Sequence, residues 1–305
     1  MTLAEDDKRT PLYLEAVPPP TAQGEAGIEA VLEKVAAVHE AVRLDGVNIP
    51  EIREESSKSD KGERLKPFDP RVEPRRLALR IRERFGIECM INRVVVHLDA
   101  ARQADWFRET WEEFGVRQFV LVGGEKSGER YPGPSVPEAN RLLREVIDDP
   151  ALRIGNICIP TRANEARRMA RKLETGIDFF TSQIIYHPEE VTGLLDELAD
   201  TPLPGEPPCL LLTLCPVKSA RNIRFLHWLG VSISQELESW LTQERDGVSA
   251  RSIQQIEGAW RVISEHRLRT GCRFPAGVSI APIGKIPNEM TVGLARSIVG
   301  HGSGT

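Results

Sequence analysis

Eight apolar runs recur along this chain of 305 residues, and a segment with helical periodicity follows nearly every one. Such alternation favours parallel strands joined by right-handed crossovers. Eight units suit a closed (β/α)8 barrel of the TIM type, whose usual size is about 250 residues before insertions. A doubly wound open sheet is the alternative, but no Gly-x-Gly-x-x-Gly follows the first run. The predicted strands are residues 12–17, 44–49, 88–96, 118–122, 153–159, 179–186, 209–214 and 277–281.

Two segments depart from this repeating unit. Residues 51–70 are charged and without periodicity, which predicts a mobile loop after the second strand. Residues 231–272 carry leucine, isoleucine and tryptophan at helical spacing, which predicts two extra helices between strands seven and eight. We therefore expect a single barrel domain over residues 1–300 and a disordered tail over residues 301–305.

Composition argues against several classes of function. The net charge is −5 and 40% of the residues are apolar, which is unlike a general nucleic-acid binder. The five cysteines lie mostly inside apolar runs without a Cys-x-x-Cys pair, so buried thiols are favoured over a metal site. No apolar run approaches the roughly 20 residues of a membrane span, and no signal peptide is recognisable. These features predict a cytoplasmic protein that binds no metal, nucleic acid or membrane.

The first predicted strand contains an acid, Glu15, just ahead of three prolines. Functional groups of such barrels lie at the carboxyl ends of the strands and in the loops that follow them. Burial there would raise the pKa of Glu15 toward neutrality, as a general acid working near pH 7 requires. The alternative is a structural carboxylate paired with an arginine such as Arg93.

An amide, Gln183, interrupts the apolar run of the sixth strand. A buried amide without a partner costs roughly 1–3 kcal/mol, so Gln183 either ties neighbouring strands together or faces a ligand. The fourth strand ends in Gly123 and Gly124, which would let a planar ring or a phosphate approach the backbone, and Glu125 follows them. Further polar or loop residues at strand ends are Asn48, Asn92, Arg93, Pro160, Thr161, Arg162 and Lys218.

The order of these motifs resembles the methylenetetrahydrofolate reductase family. The resemblance runs in register from about residue 12 to residue 299, and its strength lies in the ordered set rather than in any single motif. The matching segments are Leu14-Glu15-Ala16-Val17-Pro18-Pro19, Gly123-Gly124-Glu125, Pro160, Arg171-Lys172, Phe180-Thr181-Ser182-Gln183-Ile184-Ile185-Tyr186, Leu214-Cys215-Pro216-Val217-Lys218-Ser219 and Gly230-Val231-Ser232-Ile233-Ser234.

The resemblance implies a (β/α)8 barrel that reduces 5,10-methylenetetrahydrofolate to 5-methyltetrahydrofolate with NAD(P)H. It implies that Glu15 protonates the departing amine, that Glu125 favours the cationic iminium, and that Gln183 contacts the pterin. The substrate-binding residues it suggests are Gln183, Tyr186, Glu55 and Lys218. The cofactor-binding residues it suggests are Asn48, Asn92, Gly123, Gly124, Pro160, Thr161, Arg162 and Lys172.

The departures from the family concern the positions that hold FAD. The usual His-Leu-Thr-Cys becomes Ile91-Asn92-Arg93-Val94, and the arginine of the usual Arg-Gly-Asp becomes Gly123. Residues 159–162 and the acidic loop instead resemble the actinobacterial-type branch that transfers hydride from NADH without flavin. FAD-bound and flavin-free forms both stay open, as do a homo-oligomer, another one-carbon carrier and a deazaflavin. A non-catalytic pterin-binding or methyltransferase-associated paralogue is the alternative from another class.

Overall fold

A computed structural model of the chain describes residues 10–64, 67–124 and 130–302. Eight parallel strands form a closed barrel in the order β1 to β8, and β8 pairs with β1 through Leu12 and Val278. This closure confirms the (β/α)8 barrel and excludes the open sheet. The strands are β1 Leu12–Glu15, β2 Gly46–Pro50, β3 Cys89–Val94, β4 Gln118–Val122, β5 Arg153–Cys158, β6 Phe179–Ile184, β7 Cys209–Leu214 and β8 Ala276–Ile280.

The helices surround the barrel and alternate with the strands. Three helices, α7 to α9, lie between β7 and β8, which confirms the two extra helices expected there. None of the described helices combines the length and apolarity needed to span a membrane. The helices are α1 Gly24–Ala41, α2 Pro74–Phe85, α3 Ala100–Glu112, α4 Val136–Val146, α5 Glu165–Leu173, α6 Pro188–Ala199, α7 Ala220–Trp228, α8 Gln235–Thr242, α9 Val248–Thr270 and α10 Asn288–Gly302. The helix α10 therefore continues two residues into the predicted tail, whose last three residues lie outside the described part.

Local sequence sets where the helices begin and end. A capping box of Ser135 and Glu138 starts α4, and the hydroxyl of Ser234 accepts a hydrogen bond from the Leu237 amide in the first turn of α8. The helix α2 ends at Gly86, whose φ of 67° lies in the left-handed region that favours glycine. Each signal satisfies backbone groups that the helix end leaves unpaired.

Side chains alternate between the two faces of each barrel strand. Leu12 and Leu14 face the helices and join the main core, whereas Tyr13 belongs to a separate buried cluster that fills the barrel interior. The other fully or nearly buried members of that cluster are Met90, Val120, Phe179, Cys209 and Leu211. Glu15 follows Tyr13 by two positions, so it lies on the interior face at the carboxyl end of β1.

The charged segment after β2 is docked on the protein. The Lys58 amide donates to the Trp228 carbonyl oxygen at 2.9 Å, and the Glu63 amide donates to the Arg224 carbonyl oxygen at 3.2 Å. A side-chain ion pair of 3.6 Å joins Arg224 to Glu63. The sequence predicted a mobile loop here because its charges have no periodicity; the structure instead fixes its backbone to the end of α7.

Candidate functional site

Polar side chains from neighbouring strands converge at the carboxyl end of the barrel. Glu15 on β1 is in register with Asn48 on β2. Asn92 on β3 is in register with Pro50, which lies two residues beyond Asn48 toward the carboxyl end of β2. The Asn48 side-chain amide donates to Glu15 Oε2 at 3.4 Å. Parallel register brings together residues that are far apart in the chain, so β1, β2 and β3 form one polar wall.

Glu15 has the properties of an acid held in a partly dry site. Its side chain is half-buried, and burial alone raises its pKa from 4.5 to about 7. The alternative partner, Arg93, binds Glu51 instead: both carboxylate oxygens of Glu51 lie 3.1 Å from Arg93 Nη1. The alternative, in which Arg93 pairs with Glu15, is therefore excluded in this structure, and a pKa near 7 leaves a neutral Glu15 carboxyl available to donate a proton.

Three side-chain oxygens at this end of the barrel are buried and have no hydrogen-bond partner among the described residues: Asn48 Oδ1, Asn92 Oδ1 and Ser279 Oγ. Ser279 lies beside Tyr13 on β8, one layer below Glu15. An unsatisfied buried polar group costs about 1–3 kcal/mol, and such groups are normally paired. This concentration indicates a binding site for a ligand that offers several hydrogen-bond donors. Sequence reasoning missed Ser279, although a serine between two apolar residues of the last strand marks an inward polar position.

Gln183 closes the other side of the mouth. Its Nε2 donates to the Leu229 carbonyl oxygen at 3.4 Å, and its Oε1 accepts from the Ile184 amide at 3.0 Å. The register between β6 and β7 shifts at Thr181 and Ile184, which re-aims this side chain. Gln183 is half-buried and connects β6 to Leu229 after α7 and not to a neighbouring strand, and its contact with a ligand stays a prediction.

The two predicted cofactor-binding cations are engaged by the protein itself. Lys172 Nζ donates to the Ile157 carbonyl oxygen at 2.7 Å and lies 5.9 Å from the Phe180 ring, on the helix-facing side of the barrel wall. Burial lowers the pKa of Lys172. Arg162 pairs with the buried Glu165 at 3.4 Å. Both side chains stabilise the junction of β5 and α5 in this conformation.

The two glycines after β4 have a local explanation. A Cβ atom on Gly124 would lie 2.3 Å from the Tyr131 ring, so the missing side chain makes room for the protein's own tyrosine. Gly123 has space for a Cβ, with Val136 at 3.4 Å. Glu125, the predicted second acid, lies outside the described residues.

Tyr186 does not reach the mouth as a ligand contact. It is 1% exposed, and its hydroxyl donates to the Cys215 carbonyl oxygen at 2.6 Å. Cys215 itself lies near Glu15: burial, with a smaller contribution from the Glu15 charge, raises the pKa of its thiol to about 12. The prediction that Tyr186 binds substrate is contradicted in this structure, because its ring and hydroxyl are enclosed in the wall behind the site.

The remaining predicted residues lie at the rim. Glu55 is half-buried and pairs with Lys58 at 3.3 Å within the loop after β2. Lys218 after β7 is exposed, as is Thr161 after β5, whereas Pro160 is half-buried. In the described part of the chain, no group of three or more histidine, cysteine or acidic side chains is placed to hold a metal ion.

Comparison with solved structures finds proteins that share the barrel fold. An uncharacterized protein from Clostridium thermocellum that binds two copies of 5-methyl-5,6,7,8-tetrahydrofolic acid superposes with a TM-score of 0.78 at 19% identity, over 96% of each chain. A mutant tryptophan synthase alpha-subunit from Pyrococcus furiosus matches with a TM-score of 0.50 at 12% identity, also over 96% of each chain. No sequence-family model and no curated protein matches this chain. At these identities the likeness shows the fold, and the class is that of the (β/α)8 barrels.

Proposed function

We propose that this barrel binds a reduced folate and reduces 5,10-methylenetetrahydrofolate to 5-methyltetrahydrofolate with hydride from NAD(P)H. The observation that carries the proposal is Glu15: a carboxyl on the interior face of the mouth, with its pKa near 7 and its candidate arginine engaged elsewhere. The choice of reaction rests on the resemblance of the ordered sequence motifs to the methylenetetrahydrofolate reductase family. The choice of ligand class is supported by the structural neighbour of the same fold, which binds 5-methyl-5,6,7,8-tetrahydrofolic acid.

The reaction needs one proton and one hydride. Opening the five-membered ring breaks the bond between the methylene carbon and N10, and the proton goes to N10. The remaining N5 iminium carbon then accepts hydride from the nicotinamide, which leaves a methyl group on N5 and the oxidised dinucleotide. Protonated Glu15 is suited to supply the proton, because a pKa near the working pH balances availability against acidity.

The unpartnered oxygens of Asn48 and Asn92 suit the pterin end of such a substrate. The reduced pterin ring carries an amino group and ring N–H groups, all of which donate hydrogen bonds. A donor that reaches either oxygen removes the cost of leaving a buried acceptor unpaired. Binding is therefore expected to depend on the donor edge of the ring and not on its bulk alone.

The residues predicted for FAD do not fit its diphosphate in this structure. Lys172 is bonded to a backbone carbonyl on the far side of the wall, and Arg162 pairs with Glu165. NAD(P)H carries a diphosphate as well, so these contacts alone do not distinguish the two cofactors. The departures at Asn92 and Gly123, at positions that hold FAD in the resembled family, support a flavin-free route, and we propose that hydride passes directly from the nicotinamide cosubstrate. An absorbance spectrum of the purified protein tests it: the visible bands of an oxidised flavin, at about one equivalent per chain, would overturn it.

A second candidate function is non-catalytic binding of 5-methyltetrahydrofolate, as a paralogue that delivers or stores the methylated carrier. The observation in its favour is that the structural neighbour binds 5-methyl-5,6,7,8-tetrahydrofolic acid, which is the product of the proposed reaction. Under this alternative Glu15 would contact the pterin without transferring a proton.

One assay separates the two candidates. NADH and NADPH oxidation is followed anaerobically with and without 5,10-methylenetetrahydrofolate, and the folate product is identified by mass. Turnover to the methyl product supports the reductase. Tight binding of 5-methyltetrahydrofolate with no turnover by either nucleotide supports the non-catalytic paralogue. The same assay with a reduced deazaflavin as hydride donor, or with another one-carbon carrier as hydride acceptor, tests those two alternatives.

A further inference from the structure

A second cavity lies at the rim of the barrel, between the loop after β2 and the end of α7. Its volume is about 480 Å³, which falls in the range of small-molecule sites. At its centre is Arg64, whose guanidinium lies 5.4 Å from the Phe68 ring and 5.3 Å from the Trp228 ring. The lining residues are Glu54, Glu55, Ser56, Ser57, Arg64, Pro67, Phe68 and Trp228.

The cavity exists because the loop is docked closely on α7. Gly62 approaches the backbone of Trp228 so closely that a Cβ on Gly62 would lie 2.3 Å from the Trp228 nitrogen and Cα. The backbone hydrogen bond from Lys58 to Trp228 fixes the loop on the other side of this contact. Glycine is therefore required at this position, and the loop forms a wall of the cavity.

Two chains of contacts connect the cavity to the mouth. Trp228 precedes Leu229, whose carbonyl oxygen accepts from Gln183. Arg71, whose pKa is lowered by burial and further by the nearby Arg64 charge, donates to the Pro18 carbonyl oxygen at 3.2 Å. Pro18 is three residues beyond Glu15, a span of at most about 10 Å. Both chains of contacts are short, which places the cavity next to the mouth.

Two acids line the cavity, but Glu55 is paired with Lys58 at 3.3 Å and Glu54 is exposed, which leaves Arg64 as the half-buried charge of the lining. The geometry around Arg64 favours a carboxylate over a flat ring. Phe225 stacks on Trp228 with ring centroids 5.5 Å apart, and Arg64 lies over the same indole. Both faces of the indole are thus largely covered, which leaves little room for a stacked base. Among the described residues Arg64 makes no ion pair, so the edge of its guanidinium remains available, and this edge matches a carboxylate with two parallel hydrogen bonds.

We propose that this cavity, centred on Arg64 and walled by the Gly62 loop, is a subsite for the glutamate carboxylates of the folate whose pterin lies in the mouth. The inference rests on the proposed function for the identity of the ligand. It assigns specificity to Arg64: the subsite distinguishes glutamylated folates from the same molecule without glutamate.

The test compares two ligands with four proteins. Affinities for 5-methyltetrahydrofolate and for 5-methyltetrahydropteroate, which lacks the glutamate, are measured by calorimetry on the full chain. The proteins are the wild type, Arg64→Met, Arg64→Lys and the control Arg80→Met, whose exposed arginine pairs with Glu25 on the outer helices. Methionine keeps the aliphatic stem between the rings, and circular dichroism verifies that each variant is folded.

We expect the wild type to prefer the glutamylated ligand by roughly tenfold to hundredfold, the ordinary effect of a charge-assisted hydrogen-bond pair. Arg64→Met should abolish this preference, Arg64→Lys should restore part of it, and Arg80→Met should retain it in full. An equal preference in wild type and Arg64→Met overturns the subsite while leaving the proposed function intact. Failure of the wild type to bind either ligand overturns both.

Discussion

Replacing Glu15 by glutamine tests the chemistry and the electrostatics of the mouth in one variant. Glutamine keeps the shape and can still accept from Asn48, but it has no acidic proton to give. General acids contribute typically 10²–10⁴-fold, so we expect kcat to fall by that factor while folate affinity changes little. In the wild type, activity should fall about tenfold per pH unit above pH 7, because the protonated carboxyl is the active form.

The same variant should change how stability depends on pH. In the unfolded chain Glu15 titrates near 4.5, whereas in the fold its pKa is about 7. Between these values the folded state holds a proton that the unfolded state has lost, so the free energy of unfolding decreases as pH rises. The slope is about 1.4 kcal/mol per pH unit, and the loss levels off above pH 7 at up to about 3 kcal/mol. Partial access to water reduces this upper value.

The measurement is urea unfolding of wild type and Glu15→Gln at about pH 5 and about pH 8.5. Other groups titrate alike in both proteins and cancel in the difference. We expect the free energy of unfolding of Glu15→Gln, relative to that of the wild type, to be higher at about pH 8.5 than at about pH 5 by roughly 1–3 kcal/mol. The control Glu25→Gln removes an exposed carboxylate that pairs with Arg80, and should show no such gain. Parallel pH profiles for wild type and Glu15→Gln would refute the raised pKa, and unchanged turnover would refute the proton transfer.

Three further substitutions test the surroundings of the site. Gly62→Ala should raise the KM for folate severalfold with little change in unfolding, because its Cβ would collide with Trp228 and displace the loop; faster hydrogen exchange confined to the loop would verify this. Arg93→Met should cost about 1.5–3 kcal/mol in urea unfolding, since it removes the buried guanidinium that holds Glu51 and leaves Glu51 only the more exposed Arg53 at 2.8 Å; a change below about 0.5 kcal/mol contradicts that role. Tyr186→Phe should cost about 1 kcal/mol and leave KM unchanged, and a raised KM would reinstate Tyr186 as a substrate contact.

The periodic part of the sequence predicted the architecture well. Each of the eight apolar runs became a strand within a few residues, because a strand buried on both faces needs continuous apolar side chains. The helical spacing between residues 231 and 272 likewise predicted α8 and α9. These features are local, so they can be recognised without knowing which elements meet in space.

The partners of individual side chains depended on tertiary structure. Arg93 could have reached Glu15 or Glu51, and only the path of the chain after β2 brings Glu51 within hydrogen-bond distance. The charged loop looked unattached in the sequence because its docking depends on contacts with α7, among them the close approach of Gly62 to Trp228. No periodic pattern marks such a contact, since the two residues are far apart in the chain.

The sequence by itself therefore determined the barrel and the acid at the end of its first strand. The spacing of apolar residues fixes which stretches must be buried, and the position of Glu15 on the interior face follows from strand alternation. Tertiary structure decided that this acid has no arginine partner among the described residues, that Tyr186 is enclosed in the wall, and that Arg64 lines a cavity. Those outcomes depend on distances between separate segments, which exist only once the barrel has closed.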